Sequence, residues 1–499
     1  MKKVIIIGGG MAGLSAGCYL QMNGYDTEIF EMDSKPGGLC SFWERKGYTI
    51  DGCINWFIGC SPGSDIYSIW DDLIDIRNFP FVIYDEFVSF ESHDKKVHCY
   101  GDISKFADEL KKAAPEDKKA ISDLVSSIRW FASLNSKKNQ NGVKPVFFRF
   151  ISDFIRKVIL AYLVFVKWPM PVRSYVETLN SGFLKKFFNT FFEGEAPMWL
   201  LLSTQSFFCL KDAGYPIGGS REVVKRTVKR YCSLGGKINC DSKVSRIAIE
   251  DDVAKGIVLE NGAVYGSDIV ISAADGYDTI FNMLEGRYRD RTIRNFYNDP
   301  AKSPKSSGFY FIFGLSREFD DRLKVCEFFE LRNPISVDGE KIGHIGVTVH
   351  NFNPLSAPAG KTLLTMHIIS RNPGYWINLR RNNKAEYDIQ KSILAESVLK
   401  ELEWHFGNIK DHVEMSDVVT PATFFRYTNN WNGSIRGWTD FNLWISGRKK
   451  EISGLKDFYM CGQWVDAGYL SSVVKSGMDL ARKICKRDKK AFVRSSSYS

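Results

Sequence analysis

The sequence predicts an α/β fold: a Rossmann-like parallel-sheet domain, with a discontinuous α+β substrate domain containing a mostly antiparallel sheet. Three observations carry this. An apolar run, Lys3–Ile7, leads into Gly8-Gly9-Gly10-Met11-Ala12-Gly13, a helix-like segment Leu14–Met22, and a second strand-like run Thr27–Phe30 that ends on Glu31. Short strand-like runs with tight turns fill 237–272, which suits a β-ribbon inserted into an α/β sheet. Apolar, β-branched runs such as Gly308–Leu315, Ile345–His350 and Leu363–Ser370 indicate a second layer of large strands.

Strand, glycine turn, helix, strand and acid together form a dinucleotide-binding βαβ unit. Gly8 permits the tight turn. Gly10 lets a pyrophosphate approach the backbone, and Gly13, with Gly17 one turn on, lets the helix pack close to the sheet. Met11 and Ala12 complete the glycine turn as candidate cofactor contacts, and the free N–H groups and partial positive charge of the helix N-terminus face the phosphates. Glu31 is placed to accept hydrogen bonds from ribose hydroxyls. Three glycines recur by chance, but the flanking strand and helix, and an acid about 20 residues on, make the signal specific.

With 499 residues and 44% hydrophobic content, the chain is long enough for a large core and more than one domain. The net charge of +9 is modest for this length, and part of the excess lies in the tail (Arg482-Lys483, Lys486-Arg487, Lys489-Lys490, Arg494). No zinc-finger spacing, RNP-like strand or basic recognition helix is present, so nucleic acid is not an expected partner. The 11 cysteines form no CxxC pair, and their odd number reads as reduced thiols in the cytoplasm. The seven histidines show no ligand spacing, and no metal is expected.

Further motifs follow. Glu31 leads to Gly37-Gly38-Leu39, then Tyr48-Thr49-Ile50-Asp51-Gly52 and the pair Trp56-Phe57. Tyr215-Pro216-Ile217-Gly218-Gly219-Ser220 precedes a helix, Arg221–Cys232, that ends at Leu234-Gly235-Gly236. Thr420-Pro421 runs through Arg426-Tyr427 to Trp431 and Gly437-Trp438. Phe458–Met460 delivers Cys461-Gly462-Gln463-Trp464, and Gly468 and Ser471 lead into a last helix.

With these motifs the chain resembles the flavoprotein oxidoreductases that include phytoene desaturases, carotenoid isomerases, retinol saturases and amine oxidases. The 420–438 stretch resembles the desaturase and saturase branch in particular. The resemblance implies a glutathione-reductase-type domain holding one FAD. Gly37, Gly38 and Leu39 would lie toward the flavin, and the backbone of Val244 against adenine. Gly462, Trp464, Gly468 and Ser471 would bring the last helix to the flavin pyrimidine. Where the family often has Gly-Gly before that helix, this chain has Ala467-Gly468-Tyr469-Leu470. A simple strand residue remains the other reading of Val244.

The activity implied is an FAD-dependent oxidoreduction of a C–C double bond. Saturation, desaturation or isomerisation of a carotenoid, retinoid, other isoprenoid or unsaturated lipid would proceed by hydride exchange at flavin N5. Only one βαβ fingerprint is present, so the electron donor or acceptor is a separate, unidentified partner. Trp56, Phe57, Trp431, Trp438 and Tyr469 are the candidate substrate-lining aromatics, each of which is equally suited to a core. Lys475 and Asp51 are candidate polar groups by motif position alone; the alternatives are a solvated helix residue and a structural cap. Two other functions share the architecture: a flavin amine oxidase, and a GDI-like isoprenoid-binding protein without redox chemistry.

The expected FAD domain comprises 1–62, 203–290 and 454–488. The substrate domain comprises 63–202 and 291–453, and 489–499 is a basic flexible tail. Within 145–171 the longest uncharged run, Val158–Val166, is too short to span a bilayer. It suits either a helix packed on the protein or one lying in a membrane interface, with Arg149, Arg156, Lys157 and Lys167 at the headgroups. The expected location is the cytoplasm, at the inner face of the membrane in the second case.

Overall fold

The structure, a computed structural model, describes residues 1–62, 64–135, 155, 158–192, 196–298, 307–319, 326–437 and 449–494. Lys3–Ile7 is apolar because it is the middle strand of a five-stranded parallel sheet. The spatial order is Lys237–Asn239, Asp26–Phe30, Lys3–Ile7, Ile269–Ser272, Phe458–Met460. Val4, Ile5 and Ile6 are fully buried, as a parallel strand covered on both faces requires. The sheet thus draws strands from both ends and the middle of the chain.

The N-terminal helix, Met11–Met22, packs against the C-terminal helix Leu470–Arg487 and against Gly219–Ser233. Glycines set both approaches. A Cβ on Gly17 would lie 2.6 Å from the Tyr231 ring, and one on Gly477 would lie 2.6 Å from the Ala12 carbonyl oxygen. The antiparallel ribbon Val244–Glu250, Val253–Leu259 and Val264–Gly266 hangs from this domain.

The second large sheet has seven strands, in the order Val413–Val419, Ser307–Leu315, Thr362–Ser370, Glu340–Val349, Cys326–Val337, Glu86–Ser92, Lys95–Tyr100. Its pairings are antiparallel except where Cys326–Val337 runs parallel to Glu86–Ser92. Ser307–Leu315 alternates between two cores. Phe309, Phe311 and Phe313 face the long helix Lys384–Phe406, whereas Tyr310 and Ile312 face Tyr48 and Ile50. The Asn383 side chain caps that helix by accepting the Glu386 N–H at 3.1 Å, and Gly407, at φ +65°, ends it.

Several sequence expectations change. Phe81–Ser89, whose apolar run in the sequence could form one strand, contributes to two: Phe81–Ile83 pairs with Ala213–Pro216, and Glu86–Ser92 enters the large sheet. Within 145–171, residues 145–154, 156 and 157 lie outside the described residues, so Arg149, Arg156 and Lys157 are not placed. Residues 158–162 are helical and Leu163–Lys167 widens into a π turn. The Lys167 ammonium bonds Asp123 at 2.7 Å and the Ser127 hydroxyl at 2.9 Å. Leu163 and Val164 are buried, but Val158, Tyr162, Phe165 and Val166 are exposed. No helix among the described residues is long and apolar enough to cross a membrane.

Residues 489–494, expected to be free, are docked. Arg494 pairs with buried Asp72, and Val493 and Asn23 exchange hydrogen bonds of 2.7 and 3.0 Å. Residues 495–499 lie outside the described residues.

Candidate dinucleotide site

The carboxyl ends of the parallel strands open into one cleft, enclosing about 1110 Å³ of free space including its mouth. Ligands of open α/β sheets bind at such ends. Gly8 adopts φ +97°, and its N–H donates to the Phe30 carbonyl at 2.8 Å. A Cβ on Gly13 would lie 2.1 Å from the Gly8 carbonyl oxygen, so only glycine permits this close return of the helix. Over Gly10 the space is open: a Cβ there meets no atom closer than 3.9 Å. The helix N-terminus therefore faces free volume, the condition for an anion to reach its N–H groups.

Gly37 and Gly38 fold back onto this turn. The Gly37 N–H donates to the Gly9 carbonyl at 3.0 Å, and both glycines have positive φ, +133° and +57°. Glu31 is buried. One carboxylate oxygen accepts the Gly9 N–H at 2.6 Å, the other the Asp33 N–H at 2.9 Å. Burial pushes its carboxyl up, and these two amides oppose that shift. Each oxygen keeps a lone pair for a further donor such as a ribose hydroxyl.

The C-terminal part of the chain reaches the same cleft. Gly462, at φ +93°, would place a Cβ 3.0 Å from that of Ala12, and its N–H donates to the Ser476 hydroxyl at 2.9 Å. Ser476 and Lys450 both bond the Asp466 carboxylate. Gly468 and Gly437 mark a tight crossing: a Cβ on Gly468 would lie 2.0 Å from the Arg436 carbonyl oxygen, and one on Gly437 would lie 2.2 Å from that of Gln463.

Of the candidate cofactor residues, Gly8, Gly10, Met11, Ala12, Glu31, Gly37, Gly38, Leu39, Val244, Gly462, Trp464 and Gly468 line the cleft. Gly13 lies just behind it, and Ser471 is in the first turn of the last helix, outside the lining. Among the candidate aromatics within the described residues, only Tyr469 lines it. Phe57 is core, 4.4 Å from the Trp70 ring, and Trp56 stands edge-on to Phe208 at 5.9 Å. Trp431 stacks on Tyr277 at 5.2 Å, and Trp438 lies outside the described residues.

The two polar candidates are engaged elsewhere. Lys475 is on an exposed helix face, paired with Asp479. Asp51 accepts the amides of Cys53, Ile54 and Ser220 at 2.9–3.0 Å, the Tyr215 hydroxyl at 3.0 Å, and the Ser220 hydroxyl. Its carboxylate thus ties the 48–54 turn to the start of the Gly219–Ser233 helix. Among the described residues no His, Cys, Asp and Glu cluster could hold a metal ion.

Asp275 and the Tyr427–Asn430 segment also line the cleft. Asp275 escaped the sequence reading although it had a signal, since it lies just past the carboxyl end of a parallel strand. Tyr427–Asn430 falls within the 420–438 stretch that the resemblance singles out, and tertiary folding brings the end of the Pro421–Thr428 helix to the cleft.

A model of an NAD(P)-binding Rossmann-like domain matches residues 6–73. The chain is 25% identical over 457 residues to a prolycopene isomerase of an Oncidium hybrid cultivar, covering 86% of this chain and 74% of that one. It is 24% identical over 340 residues to a lycopene-forming phytoene desaturase of Pseudescherichia vulneris, 64% of each chain. This chain is a relative of prolycopene isomerases and phytoene desaturases. The fold extends further. Putrescine oxidase superposes with a TM-score of 0.59 at 12% identity, over 97% of this chain and 99% of that one. The relation to the isomerases and desaturases spans most of the chain, whereas the putrescine oxidase likeness concerns the fold alone. The cleft built from both ends of the chain includes the N-terminal segment that the NAD(P)-binding Rossmann-like model matches.

Proposed function

We propose that this protein holds one FAD in the cleft and uses it to saturate, desaturate or isomerise a C–C double bond of a long apolar polyene. The observation that carries this is the convergence of the Gly8–Gly13 turn, Glu31 and the Gly462–Gly468 loop on one cleft, in a chain related to prolycopene isomerases and phytoene desaturases. FAD, when bound, supplies a hydride acceptor or donor at N5. The residues would bind and orient it. The helix opened by Gly10 faces the diphosphate, Glu31 takes a ribose hydroxyl, the backbone of Val244 meets adenine, and the Gly37–Leu39 turn and Tyr469 flank the flavin. Residues 1–62, 203–290 and 454–488 form the FAD domain on this reading, and 63–202 with 291–453 the substrate domain.

The test is the redox response of the flavin without oxygen. The photoreduced protein is mixed separately with carotenoids, retinoids, unsaturated fatty acids and enone steroids, and the oxidised protein with the same compounds and with amines. Reoxidation of the reduced flavin by a polyene, reduction of the oxidised flavin by one, or isomerisation of one supports the proposal. Reduction of the oxidised flavin by amines alone makes the protein an amine oxidase, and a protein that takes up no flavin fits a lipid-binding role instead. The apolar side chains Val158, Tyr162, Phe165 and Val166 would rest on a bilayer from which the substrate is drawn.

A further inference from the structure

Asp275 stands where the Rossmann sheet meets the second domain. It lies three residues past the Ile269–Ser272 strand and beside the Gly8 turn, where a Cβ on Gly8 would lie 3.2 Å from the Ala273 backbone. It lines the cleft yet is only 2% exposed. One carboxylate oxygen accepts the Asp278 N–H at 2.7 Å. The other accepts the Trp431 N–H, also at 2.7 Å, across 156 residues of chain.

Trp431 belongs to the segment that gives the cleft Tyr427, Asn429, Asn430 and Ile435. The segment is shaped locally: the Asn430 side chain donates to the Ser434 carbonyl at 2.9 Å, and the Asn429 N–H donates to the Phe425 carbonyl at 2.8 Å. Those bonds fix its form but not its position over the sheet. The Asp275–Trp431 bond and the Trp431–Tyr277 stacking tie it to the end of the sheet, while the Ser307 hydroxyl on the Gly433 carbonyl at 2.9 Å and the Gly437–Gln463 crossing hold its far end.

We propose that Asp275 is a positioning residue that fastens the 427–435 segment over the bound dinucleotide. This rests on the dinucleotide reading of the cleft. Breaking the bond frees that wall and lets the cofactor leave sooner.

The titration of Asp275 gives the clasp a signature. Burial pushes its carboxyl up to about 7 and the nearby Asp278 carboxylate raises it, while the amides of Asp278, Trp431 and Tyr277 oppose this. Opening to water returns the group toward its ordinary value of 3.8. The closed form therefore prefers the protonated carboxyl. Opening becomes more favourable as pH rises from about 4 to about 7 and levels off above that.

The experiment follows flavin release from the full-length holoprotein by the recovery of free-flavin fluorescence. Wild type should release faster as pH rises toward about 7, and D275N, which has no titrating group there, should lose that slope while keeping its circular dichroism. D275A should release about tenfold faster, the upper scale of one hydrogen bond. W431P and W431A both lose the ring, but only W431P lacks the N–H, and Asn430 is extended (ψ 132°) as a residue before proline should be. W431P should release faster than W431A, and this pair carries the test if D275A does not fold. Trypsin should also cut faster after Arg426 and Arg436 in D275A. Equal release by W431P and W431A, or a pH slope retained in D275N, overturns the clasp alone. A wild-type protein that binds no flavin overturns the dinucleotide reading and the clasp with it.

Discussion

Gly10 and Gly13 lie three residues apart, and the structure gives them different tasks. A methyl group on Gly13 would collide with the Gly8 carbonyl oxygen, whereas one on Gly10 would enter open cleft. G13A should therefore lose about 1–3 kcal/mol of stability along with the cofactor, as overpacking does. G10A should keep the wild-type melting temperature and lose flavin affinity, because Gly10 has an ordinary φ of −69°. Thermal melts alongside flavin titrations separate the two. Glu31 makes a third case: E31Q preserves shape but leaves one acceptor oxygen for the two amides of Gly9 and Asp33, so flavin affinity should fall at least about tenfold in a fluorescence titration. These roles were legible because glycine spacing and an acid after a strand have local causes. For Asp51 the local cap on the Cys53 and Ile54 amides was legible, but its ties to Tyr215 and Ser220 were not, since these lie more than 160 residues away.

At the scale of elements, the parallel sheet and the ribbon could be read because apolar runs and tight turns are encoded over a few residues. Splitting Phe81–Ser89 into two strands could not be read, since the break is imposed by pairing with Ala213–Pro216 in one sheet and Lys95–Tyr100 in another. The candidate aromatics illustrate the same limit. Trp56, Phe57 and Tyr469 are alike in sequence, yet tertiary packing puts Phe57 in the core and Tyr469 in the cleft. The helix over 158–162 and the turn after it expose apolar side chains, and Lys167, next to them, bonds Asp123. If they meet lipid, F165E/V166E should bind anionic liposomes several-fold less in a flotation assay while melting like wild type, because both side chains are already exposed. Equal flotation would remove the membrane from the account.

The whole molecule is closed by its two ends. The last helix packs on the first, and the chain beyond it returns to the first helix through Phe492 on Tyr19 and Arg494 on Asp72. The Tyr19 hydroxyl also donates to Asp72 at 2.7 Å, so Arg494 is the charged partner of an acid that is 2% exposed. R494A leaves that acid buried with one neutral donor. Stability should fall by about 1–2 kcal/mol, discounted for the arginine's partial exposure, as read by a chemical melt. A run of basic residues near a terminus reads as a solvated tail, and nothing local announces that one of them reaches an acid 422 residues away.

The central claim is that Gly10 and Gly462, at opposite ends of the sequence, grip one flavin between them. It is tested most directly by the absorption spectrum and extracted cofactor of the purified wild-type protein. The account predicts a yellow protein with a flavin band near ~450 nm, carrying about one FAD per chain through gel filtration. A colourless protein that takes up no FAD on incubation would contradict it.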